Sequence, residues 1–111
     1  TSYNKINGVW SHYNYELCTA VLREEWGFDG CVLTDWWMQQ DTDPNFPNLR
    51  NNAYRIRAQV DVLMPGGDHM GTGKADKSTL ESIEKQGGLT RAELERGARN
   101  VLNLALGLSM K

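Results

Sequence analysis

Apolar positions recur at three- and four-residue spacing through "YELCTAVLREEW", where Leu17, Ala20 and Val21, with Cys18, Leu22 and Trp26 beside them, form a wide stripe. That period predicts an amphipathic helix over residues 14–26. Asn14 is its N-cap, Gly27 its left-handed stop, and Phe28 the side chain that packs back on the last turn. Asp29-Gly30 turns the chain into "CVLT". That short, continuous apolar run predicts a strand over 31–35, of the kind a parallel sheet covers on both faces. "LRNNAYRIRAQ" sets Leu49, Ala53, Ile56 and Val60 roughly in helical register and predicts a helix over 48–58. "VDVLMP" repeats the strand theme over 60–64 and stops at Pro65-Gly66-Gly67.

The flanks complete the order. Residues 1–4 read as a strand end, followed by an irregular loop with a turn at Asn7-Gly8. Helices are predicted over 78–86 and 90–106, each opened by a capping box, Ser78 with Glu81 and Thr90 with Glu93. In the last one Leu94, Ala98, Val101, Leu102, Ala105 and Leu108 share a face, and the "RAELER" charges read as a solvated one. Alternation of helix and strand predicts an α/β fold with a parallel sheet. Two strands are too few to cover and to edge-pair by themselves, so residues 1–111 are expected to form an arc of a larger α/β structure. The chain also opens in mid-pattern without an initiator Met, as a piece of a longer protein does.

Composition narrows the functional classes. Twelve basic against fourteen acidic residues, a net charge of −2 and no basic patch argue against a nucleic-acid or anionic-membrane partner. No apolar run approaches the roughly 18 residues of a membrane span, and the first residues lack a signal-peptide pattern. The compartment stays open. Cys18 and Cys31, outside any CxxC pair and among apolar neighbours, are expected to be two buried free thiols, with no disulfide or metal site. His12 and His69 are isolated, with surface or hydrogen-bonded roles expected for both, and no metal is assigned. "GGDHMGTGKAD" fails as a phosphate loop, because the required Gly and Ser/Thr positions hold Asp68 and Ala75.

Chemistry concentrates in "GCVLTDWW", residues 30–37. In parallel α/β folds active groups sit at the carboxyl ends of strands, where Asp35 falls. An Asp after a strand commonly does no more than cap the next turn. Trp36-Trp37 shifts the weight, since flat aromatic faces stack on sugar rings while carboxylates bind hydroxyls or attack the anomeric carbon. One of the two tryptophans is expected to be core.

The blocks "TSYNKING", "LREEWGFDG" and "TDWW" closely resemble, in order and spacing, glycoside hydrolase family 3, the β-glucosidases, β-xylosidases and related exo-acting enzymes. The likeness continues more weakly through "RAQVDVLMPG" and "GGLTRAELERGARNVLNLALG". It implies a partial (β/α)8 barrel, the C-terminal part of the catalytic domain, with no cofactor and a β-glycoside as substrate. It further implies Asp35 as the catalytic nucleophile, Trp36 as the stacking surface, and Tyr3 as a hydrogen-bond donor to the carboxylate. Thr34 stands where the family usually has Ser, and Trp37 where relatives often have a small residue.

The implied reaction is retaining hydrolysis, which needs a second carboxyl group roughly 5–5.5 Å from the nucleophile. Asp41, Asp43 and Asp68 lie in loops near that face but match no family motif, and are expected to be solvated. In β-glucosidase-like members the acid/base comes from another domain, and other sugar-holding residues lie upstream of position 1. Residues 1–111 alone are therefore expected to be inactive, and to self-associate in order to cover apolar surface. The rival expectation is a non-catalytic sugar-binding or interaction module derived from the barrel.

Overall fold

A computed structural model describes residues 1–36, 43–64 and 76–109. It is a small mixed domain of helices and short strands. Residues 1–4 are irregular; the first strands are β1 (Lys5–Ile6) and β2 (Val9–Trp10), antiparallel, with Ile6 opposite Val9. Asn7 and Gly8 join them at φ 51° and 84°. Positive φ at both central positions is what a type I′ hairpin needs, and Asn-Gly meets it at least cost. Turn chemistry thus moves the pairing later than the expected 1–4. A 3₁₀ turn, Ser11–Tyr13, follows.

The next helix is capped at Asn14, whose Oδ1 accepts the Leu17 amide at 2.9 Å. It is wound as a π-helix over Glu16–Glu25, and the Trp26 amide reaches back five residues to the Val21 carbonyl. Nothing in the side-chain pattern accounts for that winding. It carries Trp26 off the apolar stripe, and the indole is exposed. Gly27 stops the helix at φ 69°, and the Phe28 amide closes it on the Leu22 carbonyl.

β3 (Leu33–Trp36) and β4 (Val62–Met64) form a parallel pair. Leu33 faces Val62 and Trp36 faces Met64, so two β3 residues oppose one of β4 and the register slips. The expected two-sided cover is absent among the described residues: within β3 Thr34 is buried while Leu33 and Trp36 are exposed.

α1 (Asn51–Arg57) joins the two strands. It buries Ala53 and Tyr54, flanked by Leu49 and Val60, on a core completed by Tyr13 and Leu89. Tyr13 stacks on Tyr54 at 5.3 Å, and Phe46 tilts against Tyr54 at 5.5 Å. The core therefore lies on α1 and the hairpin side, away from β3 and β4.

α2 spans Ser78–Ser82, short of the expected 86. Its capping box does not form, because its members are taken by partners in and just before α1, which packs against it. The Ser78 hydroxyl accepts the Ala53 amide, Glu81 pairs with Arg50, and Asp76 Oδ1 caps the Ser78 amide at 2.7 Å. α3 spans Arg91–Ser109, and here the box is made: Glu93 Oε2 accepts the Thr90 amide at 2.8 Å and Thr90 Oγ1 the Glu93 amide at 3.3 Å. The "RAELER" charges are not all solvated. Glu93 is bound by Arg57 and Arg96 Nη2 donates to the Ile56 carbonyl, while Arg91 and Glu95 pair at the surface. From Val101 to Leu108 every residue of α3 is exposed.

Candidate active site

Asp35 reaches the carboxyl end of β3 through the strand's one irregularity. Thr34, 1% exposed, turns its hydroxyl to β4, where Oγ1 accepts the Met64 amide at 2.8 Å. A side-chain oxygen thus stands where an unbroken ladder would present a carbonyl. The extra residue this accommodates is of the kind that re-aims a side chain beside functional sites. Asp35 is half-buried, and its Oδ1 accepts the Trp36 amide at 2.7 Å.

Residues 1–3 lie alongside β3. The Thr1 nitrogen donates to the Leu33 carbonyl at 2.7 Å, and the Tyr3 hydroxyl donates to the Trp36 carbonyl. Tyr3, Asp35 and Trp36 are therefore brought together, but the Tyr3 hydroxyl goes to a backbone carbonyl where the resemblance implied the carboxylate. Partial loss of hydration, and then the negative charge of Asp35, hold the Tyr3 phenol above its ordinary pKa. Tyr3 is 51% and Trp36 47% exposed, so a phenol and an indole stand open to solvent near the acid. That arrangement offers a ligand an anionic acceptor and a flat apolar wall.

The remaining candidates divide. Asp43 is not a solvated loop acid: it is 6% exposed, with Oδ2 taking the buried Tyr54 hydroxyl at 2.5 Å and Oδ1 the Asn45 amide at 2.7 Å. A buried hydroxyl needs an acceptor, and Asp43 supplies it. His12 is not at the surface but fully buried, packed between the rings of Trp10 and Tyr13. Trp37, Asp41, Asp68, His69 and the loop 66–75 lie outside the described residues. Among the described residues no cluster of His, Cys, Asp and Glu could hold a metal, and no helix is long and apolar enough to cross a membrane.

The pattern of the chain did not mark out the groups that support the site from the opposite strand end. Asp61 Oδ2 accepts Arg23 Nη2 at 2.8 Å and the Val32 amide at 2.9 Å, and its Oδ1 accepts Asn100 Nδ2 at 2.9 Å. Arg23 also donates to the Gly30 and Gln59 carbonyls. A charged residue opening an otherwise apolar strand, as in "VDVLM", was the available signal.

The family model described as "Glycosyl hydrolase family 3 N terminal domain" matches residues 1–104. A β-glucosidase of Ruminococcus albus is 40% identical over 106 residues, covering 96% of this chain and 11% of the relative. An exo-α-(1→6)-L-arabinopyranosidase of Bifidobacterium longum is 34% identical over 103 residues, 93% of this chain and 11% of that one. Among solved structures, a β-glucosidase from Paenibacillus barengoltzii superposes with a TM-score of 0.62 at 33% identity, covering 89% of this chain and 11% of its own. The chain spans about a tenth of the length of these relatives.

Proposed function

The chain belongs to glycosyl hydrolase family 3, and from that premise we propose that it is the nucleophile-bearing segment of a retaining β-glycosidase acting on terminal β-linked sugars. In this reading residues 1–111 supply the later units of a (β/α)8 barrel, with β3 and β4 as neighbouring barrel strands. The observation that carries it is the grouping of Asp35, Trp36 and Tyr3 at the carboxyl end of a parallel strand.

Asp35 attacks the anomeric carbon, the bond to the leaving oxygen breaks, and a glycosyl-enzyme ester forms. A second carboxylic acid protonates the leaving group and then takes a proton from the water that hydrolyses the ester. Asp43 is poorly placed for that part, since both its oxygens are engaged by Tyr54 and Asn45. In this reading, as the family resemblance implies, the acid/base comes from outside residues 1–111, and the segment alone is inactive, as positioning and acid catalysis each contribute orders of magnitude. Trp36 stacks on the sugar. No cofactor takes part.

The test is hydrolysis of aryl β-glycosides by the full-length protein that contains this segment. Activity should collapse, by roughly a thousandfold or more, in Asp35→Asn. Robust activity in that variant removes Asp35 from the mechanism. Inactivity of the unaltered protein on every sugar tried moves the weight to a sugar-binding module, a reading that the exposed Trp36 face also supports.

Taken alone, the segment is proposed to self-associate through the exposed leucines of α3, Leu102, Leu104, Leu106 and Leu108. Light scattering that gives a clean monomer overturns this.

A further inference from the structure

We infer that the Thr34 hydroxyl is a positioning group for Asp35: by capturing the Met64 amide it holds the register slip that presents the carboxylate at the strand end. The inference rests on the reading of Asp35 as nucleophile and adds to it a cause for the carboxylate's placement.

Three observations meet at this residue. Leu33 pairs with Val62 and Trp36 with Met64, so one residue more is used on β3 than on β4 between these two points. Thr34 is the buried residue of β3, 1% exposed. Its Oγ1 accepts the Met64 amide at 2.8 Å, within the slip itself.

A ladder amide in a partly buried strand needs an acceptor, and leaving it without one is costly. With the hydroxyl in place the slip satisfies Met64. Without it, the amide is satisfied by closing the slip and pairing in the ordinary parallel register, with Asp35 opposite Met64. Closing shifts β3 by one residue against β4 from Thr34 onward and turns the Asp35 side chain toward the other face of the sheet, because side-chain direction alternates along a strand. The carboxylate would then leave the Trp36 amide that now holds its Oδ1 at 2.7 Å. Serine keeps the acceptor; valine keeps the shape and loses it.

The experiment reads covalent capture directly. The full-length enzyme is incubated with a 2-deoxy-2-fluoro-β-glycoside of 2,4-dinitrophenol. An Asp35 carboxylate oxygen bonds to the anomeric carbon as the bond to the phenolate oxygen breaks. The phenolate departs with the electron pair and needs no proton, so the acid/base does not enter the measured rate. Mass spectrometry locates the ester. The first-order constant for capture is compared among the unaltered enzyme, Thr34→Ser, Thr34→Val and Thr34→Ala.

Thr34→Val and Thr34→Ala should be slower by roughly 10- to 100-fold, the scale of a misplacement of about 1 Å, and Thr34→Ser within about threefold of the unaltered enzyme. Loss of folded protein lowers the amount captured and leaves the rate constant unchanged, so a merely structural role is told apart. Capture at the unaltered rate in both Thr34→Val and Thr34→Ala overturns the inference, as does Thr34→Ser being as slow as Thr34→Val. If the ester lies on a residue other than Asp35 in the unaltered enzyme, the nucleophile assignment itself fails. The site of the label therefore separates the two failures.

Discussion

Arg23 Nη2 and Asp61 Oδ2 meet at 2.8 Å with 9% and 1% of their side chains exposed, tying the π-helix to the residue that opens β4. The same carboxylate takes the Val32 amide ahead of β3 and an Asn100 amide proton from α3. One buried acid thus locks four segments at the strand end opposite Asp35.

Removing that charge should be among the most damaging single changes in the domain. Asp61→Ala strands a buried guanidinium and an unpaired Val32 amide, and is expected to cost about 3–5 kcal/mol. Urea unfolding checks this. A loss under about 1 kcal/mol would mean that water replaces the carboxylate, as at an exposed pair.

Acid should weaken the tie between α1 and α3. Burial alone would raise the Glu93 pKa, but hydrogen bonds from Arg57 and Thr90, with the Arg57 charge, hold it at about 2 against an ordinary 4.5. A carboxylate depressed in the folded state contributes stability that is fully present above pH 4.5 and is lost as pH falls toward 2. Screened by nearby water, the contribution is on the order of 1 kcal/mol. The urea midpoint of the unaltered protein should therefore fall more steeply across that window than that of Glu93→Gln. Parallel slopes would count against the pair.

The two thiols should differ in reactivity. Burial raises Cys18 to about 11, and Cys31, half-buried, is raised by the same cause and then by the Asp61 charge. At pH 8 about one Cys18 in a thousand is thiolate, and its Sγ is also shielded, so a disulfide reagent should label it only on unfolding. Cys31 should react in the native state, more slowly than a free thiol. Rapid native labelling of both positions, read by mass spectrometry, would contradict the packing around Cys18.

Tyr54→Phe removes the hydroxyl that faces Asp43 and leaves the stacked ring in place. The buried carboxylate loses a donor at 2.5 Å, at an expected cost of about 1–3 kcal/mol. Pairing it with Asp43→Asn in a double-mutant cycle should return a coupling energy well above zero. Additive losses would mean that the two groups do not interact.

Local physics made much of this protein legible from its residues. The Asn7-Gly8 turn, the Asn14 cap, the Gly27 stop and the Thr90–Glu93 box each depend on groups within six positions of one another, so composition and spacing suffice. The acid at the end of an apolar run was visible for the same reason, and the three sequence blocks pointed to the family. What only the tertiary structure decided joins groups 30 to 38 residues apart. The Thr34 hydroxyl oxygen accepts the Met64 amide, the Trp36 carbonyl accepts the Tyr3 hydroxyl, and Asp61 closes on Arg23. The same holds where a local motif was overruled: Ser78 gives up its box to the Ala53 amide, because burial raises the cost of leaving that distant donor unmet above the gain of a nearby cap, while Glu81 pairs with Arg50 at the surface. Hydrophobic spacing states which residues prefer burial; it carries no record of which polar groups will be buried together, and that pairing set the register on which Asp35 stands.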